Sequence, residues 1–87
     1  MAVVLITHAP SREAYEQIDR EVGSTLPRGC IVHTASEVDG GVRVVDIWES
    51  RQHIEDFFQS ELGPAFAKFG VEAPQPELTE TFNIELA

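Results

Sequence analysis

His33 and Asp46 are the two residues whose types and spacing best suit proton transfer, because a hairpin sets them opposite each other. The runs Cys30 to Val38 and Gly41 to Glu49 are rich in Val, Ile and Thr and flank Asp39-Gly40-Gly41. Asp-Gly between two such runs is a strong hairpin signal, both central residues of a type I′ turn requiring positive φ. Closing the turn on Asp39-Gly40 pairs Val38 with Gly41. Glu37 then faces Val42, Ala35 faces Val44, His33 faces Asp46 and Ile31 faces Trp48. Side chains alternate along a strand, so these cross-strand partners share one face of the sheet; a slip of one residue would separate His33 from Asp46. A carboxylate beside an imidazole fixes its tautomer and raises its basicity, which suits a general acid or base. The same two side chains also form a polar pair that merely satisfies its own hydrogen bonds. Both readings stand on the residues alone.

Other side chains complete a candidate pocket. Trp48 offers a flat wall for an aromatic ligand, or a core residue closing the sheet onto a helix. Tyr15 can donate a hydrogen bond into a cleft and fits the apolar stripe of its helix equally well. Phe57 and Phe66 lie at helical spacing with Phe58 and Phe69 and belong mostly to the core, with room for one or two to line a cleft. His8 and His53 read as solvated histidines. Cys30 has no neighbouring base and no second cysteine, so it reads as a small buried hydrophobe.

The elements that must position these residues follow from patterning. Ala2 to Thr7 is a nearly continuous apolar run, read as a buried strand. Ser11 caps a helix whose inner stripe is Tyr15, Ile18 and Val22 and which Gly23 ends. Ser50 caps a second helix carrying Ile54, Phe57, Phe58 and Leu62. Gly63-Pro64 is expected to interrupt it before a short continuation through Phe66 and Phe69. The end of the chain alternates, with Leu78, Phe82, Ile84 and Leu86 on one face, and reads as a last strand. The order β-α-β-β-α-β with right-handed crossovers predicts an α+β, ferredoxin-like sheet with two helices on one face. A single domain over residues 1–87 is expected.

Composition narrows the partners. Six basic against fifteen acidic residues give a net charge of −9, which disfavours nucleic acid and anionic membranes. No metal-type cluster and no phosphate-binding glycine loop is evident, so neither a metal nor another cofactor is expected. The early apolar run is too short for a signal segment or a membrane span, and a cytoplasmic location is expected. A chain of 87 residues buries only ~60–65% of its unfolded surface, and one cysteine allows no internal disulfide. Both faces of the hairpin are apolar, Cys30, Val32, Val45 and Ile47 being assigned to the face away from Trp48. Two helices cover one face only. A bare second face exceeds what soluble monomers usually tolerate, which predicts a homodimer.

The β-α-β-β-α-β order, the hairpin Asp39-Gly40-Gly41, and Val45-Asp46-Ile47-Trp48-Glu49-Ser50 running into an aromatic helix resemble the dimeric α/β-barrel superfamily. Within it, the chain is most similar to antibiotic-biosynthesis-monooxygenase domains. The resemblance implies two sheets joined into a barrel, and ligand sites in the barrel or in the clefts between sheet and helices. It extends to cofactor-independent monooxygenases, polyketide cyclases, haem enzymes and members without known activity, so it does not choose a reaction. Haem-degrading relatives carry a tryptophan and a histidine ligand that fall here on Phe57 and Ala67. Haem degradation is therefore not expected.

Two functions remain. One is a cofactor-independent enzyme acting on a hydrophobic aromatic or polyketide-like molecule by monooxygenase-like or cyclase-like proton transfer. Its catalytic residues would be His33 and Asp46, with Trp48, Phe57, Phe66 and Tyr15 binding substrate. The other is a non-catalytic ligand-binding or assembly module. An enclosed cavity at His33 would favour the first, and a site filled by side chains the second.

Overall fold

The computed structural model describes residues 1–23 and 25–87. Strand β1 (Ala2–Ala9) leads into helix α1 (Arg12–Val22) and then the hairpin of β2 (Cys30–Val38) and β3 (Gly41–Trp48). Helix α2 (Arg51–Phe57), a π-helical turn (Phe58–Leu62) and helix α3 (Gly63–Phe69) follow in one arm, and β4 (Glu77–Thr81) closes the sheet. The sheet order is β2-β3-β1-β4 with every neighbouring pair antiparallel. Each helical arm therefore crosses over one intervening strand, giving the ferredoxin-like arrangement that the pattern predicts.

Ser11 and Ser50 cap their helices as expected, their hydroxyls accepting from the N–H groups of Ala14 and His53. Val3, Leu5, Val42, Val44 and Trp48 are buried on the helix-facing side of the sheet with Ile18 and Ala65 above them. The opposite side carries Val4, Ile6, Val32, Val45 and Ile47, all half-buried, and ends at the hairpin in the polar row His8, Arg43 and Ser36.

Four local details depart from expectation. The hairpin turn is not type I′, because among the described residues only glycines have a positive φ and Asp39 does not; the positive angles in the turn are 87° at Gly40 and 140° at Gly41. Glycine at 41 is required twice over, since a Cβ there would lie 2.1 Å from the Ala9 carbonyl oxygen. Opposite Trp48 stands Cys30 and not Ile31, because a bulge between Cys30 and Val32 leaves Ile31 as the extra residue. This also moves Cys30 to the helix-facing side of the hairpin. Gly63-Pro64 does not break the second helix. The Gly63 N–H donates to the Phe58 carbonyl five residues back, so a π-turn absorbs the proline, which has no N–H to give. Finally, the last strand stops at Thr81, which already pairs with Ala2, the first residue of β1. Beyond it the chain runs past the start of β1, and Phe82 and Leu86 stand 95% and 66% exposed.

Candidate functional site at the junction of the first helix and the sheet edge

The hairpin register delivers His33 and Asp46 to the helix-facing side as a cross-strand pair. His33 Nδ1 lies 2.7 Å from Asp46 Oδ1. Their surroundings differ because β2 is an edge strand and β3 is internal. The His33 side chain keeps a third of its surface exposed (33%), whereas that of Asp46 keeps 9%. Burial pushes the Asp46 carboxyl above its usual range, while His33, the Trp48 indole and the Thr34 backbone oppose that shift.

Helix α1 supplies the third member. Tyr15 lies on its sheet-facing stripe, and the hydroxyl reaches 2.6 Å from His33 Nε2. The two rings are nearly parallel, 12° apart, with centroids 6.1 Å distant. Burial pushes the Tyr15 phenol up, helped by the negative charges of Asp19, Asp46 and Glu16, so the hydroxyl keeps its proton at neutral pH. With Asp46 ionised and the imidazole neutral, only one assignment satisfies both contacts. Tyr15 O–H donates to Nε2, and Nδ1–H donates to Asp46.

Tyr15 also lines a solvent-open groove of about 330 Å³, together with Arg12, Glu16, Ala35, Ser36, Glu37 and Val42. Ala35 and Val42 lie on the same sheet face as His33. Arg12 spans the groove from α1 to the sheet edge, bonding Glu16 at 2.9 Å and Glu37 at 2.8 Å. The Arg12–Glu16 pair is visible in the sequence as an i, i+4 spacing; the Arg12–Glu37 bridge emerges only once helix and strand are packed.

The structure brings Tyr15, His33 and Asp46 together and leaves the other candidates apart from the groove. Trp48 is 2% exposed and packs against Phe57 with ring centroids 5.5 Å apart. Its indole N–H is buried with no acceptor in hydrogen-bonding geometry, yet it is near enough to Asp46 to favour the ionised carboxylate. Phe57 and Phe66 are half-buried and absent from the groove wall. His53 sits against Ser50 at the start of α2, with 2.7 Å between Nδ1 and Oγ. Among the described residues, no group of three or more His, Cys, Asp or Glu is placed to hold a metal ion, and no helix is long and apolar enough to cross a membrane.

No protein-family model matches the sequence, and no curated protein matches it. Solved structures do. Rv0793 from Mycobacterium tuberculosis superposes with a TM-score of 0.73 at 18% identity, covering 97% of this chain and 98% of its own. A protein from Chloroflexus aurantiacus, provisionally named an antibiotic biosynthesis monooxygenase, gives 0.70 at 17% identity over 98% and 97% of the two chains. A Deinococcus radiodurans protein with the same provisional name gives 0.68 at 14% identity over 100% and 98%. Identities this low speak for the fold and not for the reaction. The chain has the α+β fold of antibiotic-biosynthesis-monooxygenase-like proteins.

Proposed function

We propose that the chain is a small, cofactor-independent enzyme that transfers protons on a hydrophobic aromatic or polyketide-like molecule held in the groove beside Tyr15. The observation that carries this reading is the unbroken contact from Asp46 through His33 to Tyr15, at 2.7 Å and 2.6 Å, ending on a groove with Ala35 and Val42 in its wall. A buried carboxylate behind an imidazole stabilises the imidazolium that forms when a proton arrives. Removing a proton from a phenol or enol gives an electron-rich anion. That anion can close a ring, as a cyclase requires, or be oxidised by dioxygen, as a monooxygenase requires, and neither step needs a resident cofactor. The names carried by the Chloroflexus and Deinococcus structures agree with the second course.

The working form we propose is a homodimer in the cytoplasm. Val4, Ile6, Val32, Val45 and Ile47 form an apolar sheet face turned away from the helices, and a second copy of the same face is its natural cover.

One observation favours a non-catalytic ligand-binding or assembly module: both ring nitrogens of His33 are already engaged within the chain. The test is to incubate the protein with a panel of phenols, naphthols and anthrones, and to follow binding by native mass spectrometry, products by chromatography and dioxygen by electrode. Conversion by the wild type and its loss in His33→Ala are expected. Equal conversion by both, or binding of the panel without any conversion, overturns the enzymatic reading.

A further inference from the structure

We infer that Tyr15 is the catalytic residue that meets the substrate, receiving the proton of an uncharged hydroxyarene or enol while passing its own to His33. The inference rests on the enzymatic reading above and names the residue and substrate class through which it works.

The geometry of His33 requires an intermediary. Its Nδ1 is committed to Asp46 and its Nε2 faces the Tyr15 hydroxyl, so no lone pair of the imidazole is open to a ligand. Tyr15 is different. Its hydroxyl gives one hydrogen to Nε2 and retains acceptor capacity, and among these three residues it alone lines the groove. A ligand hydroxyl that reaches the Tyr15 hydroxyl from the groove would find an acceptor in its Oη. As the ligand O–H bond breaks, a new O–H bond forms on Tyr15. The original Tyr15 O–H bond breaks in the same step, and an N–H bond forms at His33 Nε2. The ligand becomes an oxyanion, His33 an imidazolium and Tyr15 remains a phenol; no electrons change hands. Passing the proton through suits the electrostatics, since burial and Asp19, Asp46 and Glu16 all oppose a lasting tyrosinate, while Asp46 supports the imidazolium.

The groove also selects the ligand. Its one described cation, Arg12, is bridged to Glu16 and Glu37, leaving the charged lining with one excess negative charge. A ligand carrying a carboxylate would meet that charge, whereas an uncharged one- or two-ring phenol fits both the polarity and a volume of about 330 Å³.

The test uses two measurements. In the unliganded wild type, histidine ¹⁵N spectra at neutral pH, assigned with a His33→Gln variant, are expected to show a protonated Nδ1 and an unprotonated Nε2 at His33. A neutral ring protonated at Nε2 overturns the relay, and this measurement needs no Tyr15 variant to fold. The second probe is para-nitrophenol, whose phenolate absorbs in the visible. Wild-type protein is expected to convert bound probe to phenolate under conditions where free probe stays protonated. Tyr15→Phe and His33→Gln, each shown to be folded by circular dichroism, are expected to lower that signal tenfold or more. A full phenolate signal in Tyr15→Phe overturns the relay and leaves His33 as the direct base, so the enzymatic reading survives. Absence of probe binding by the wild type overturns both.

Discussion

The Tyr15 hydroxyl lies 2.6 Å from His33 Nε2 although the two residues are 18 positions apart, and this contact fastens α1 to the free edge of the sheet. His33 belongs to β2, which has a neighbouring strand on one side only. Arg12, one turn earlier on α1, makes a second fastening to Glu37 of the same strand. Between the two contacts runs the groove. The helix is thus held against the edge strand by a phenol–imidazole bond and an exposed ion pair, and the first of these is backed by the buried Asp46.

Breaking that chain at different points should cost different amounts. His33→Ala leaves the Asp46 carboxylate buried without its partner, an expected loss of about 1–3 kcal/mol. Tyr15→Phe leaves Nε2 on a half-exposed side chain that water can reach, and an expected loss of about 0.5–1.5 kcal/mol. Urea unfolding monitored by circular dichroism measures both. A Tyr15→Phe variant less stable than His33→Ala would mean that the Tyr15–His33 contact contributes more to the fold than the His33–Asp46 pair.

Asp46 sets a pH dependence with a definite sign. Its folded pKa is raised above the ordinary value of 3.8, so the folded state holds a proton that the unfolded state has lost. The contribution of this group to stability is complete below 3.8 and declines as pH rises through the raised folded value. The stability of wild type relative to Asp46→Asn should therefore fall across that window in chemical unfolding at stepped pH. A relative stability that rises instead would mean the attraction of His33 outweighs the cost of burying the carboxylate.

The fold and the His33–Asp46 pair were legible because they depend on short-range signals. Asp39-Gly40 fixed where the strands turn, and alternation did the rest from Val32 to Ile47. Alternation alone sets Ile31 opposite Trp48, where Cys30 stands, because a bulge leaves no trace when Cys30, Ile31 and Val32 are all apolar. The tail is the complementary case. Phe82, Ile84 and Leu86 alternate like a strand, but pairing depends on where β1 begins, which is a tertiary fact. Tyr15 lies between these cases. Its helix and face could be read from Ile18 and Val22, while its contact with His33 depends on how α1 lies across the sheet edge.

The two glycines of the hairpin offer a contrast at adjacent positions. Gly40 has a φ of 87° with open space where a Cβ would go, so Gly40→Ala bears only backbone strain, about 1–2 kcal/mol. Gly41→Ala adds a collision with the Ala9 carbonyl, at 2.1 Å, and must displace β1 or the turn. Its expected loss is larger by at least about 2 kcal/mol, read from the midpoints of paired urea titrations. Equal losses would mean that the end of β1 yields freely.

Cys30 should be an inert thiol in the native protein. Burial is the main cause that pushes its pKa up to about 11, with the Asp46 charge adding to it and a backbone hydrogen bond at Val32 opposing it. The thiolate is the reactive form, so alkylation by iodoacetamide at neutral pH should be slow before denaturation and rapid after it. Mass spectrometry of timed samples separates the two states, and fast native labelling would show that this end of β2 opens readily.

The two helical arms leave one face of the sheet uncovered. Ile47 lies on that face beside Val32 and Val4, its register partners on either side, and is half-buried in the isolated chain. If two copies stack these faces, light scattering of the wild type will report twice the chain mass of 9.6 kDa. An aspartate in place of Ile47 would then bring a charge, and its copy from the second chain, into an apolar interface without a partner. Burying an unpaired charge costs several kcal/mol, enough to dissociate a dimer whose stability comes from contact between these faces. In a monomer the same aspartate would remain in reach of water. Ile47→Asp should therefore scatter as a single 9.6 kDa chain with its circular dichroism unchanged. A wild type that scatters as one chain at micromolar concentration would refute the dimer outright, and a variant that stays dimeric would move the interface to another surface.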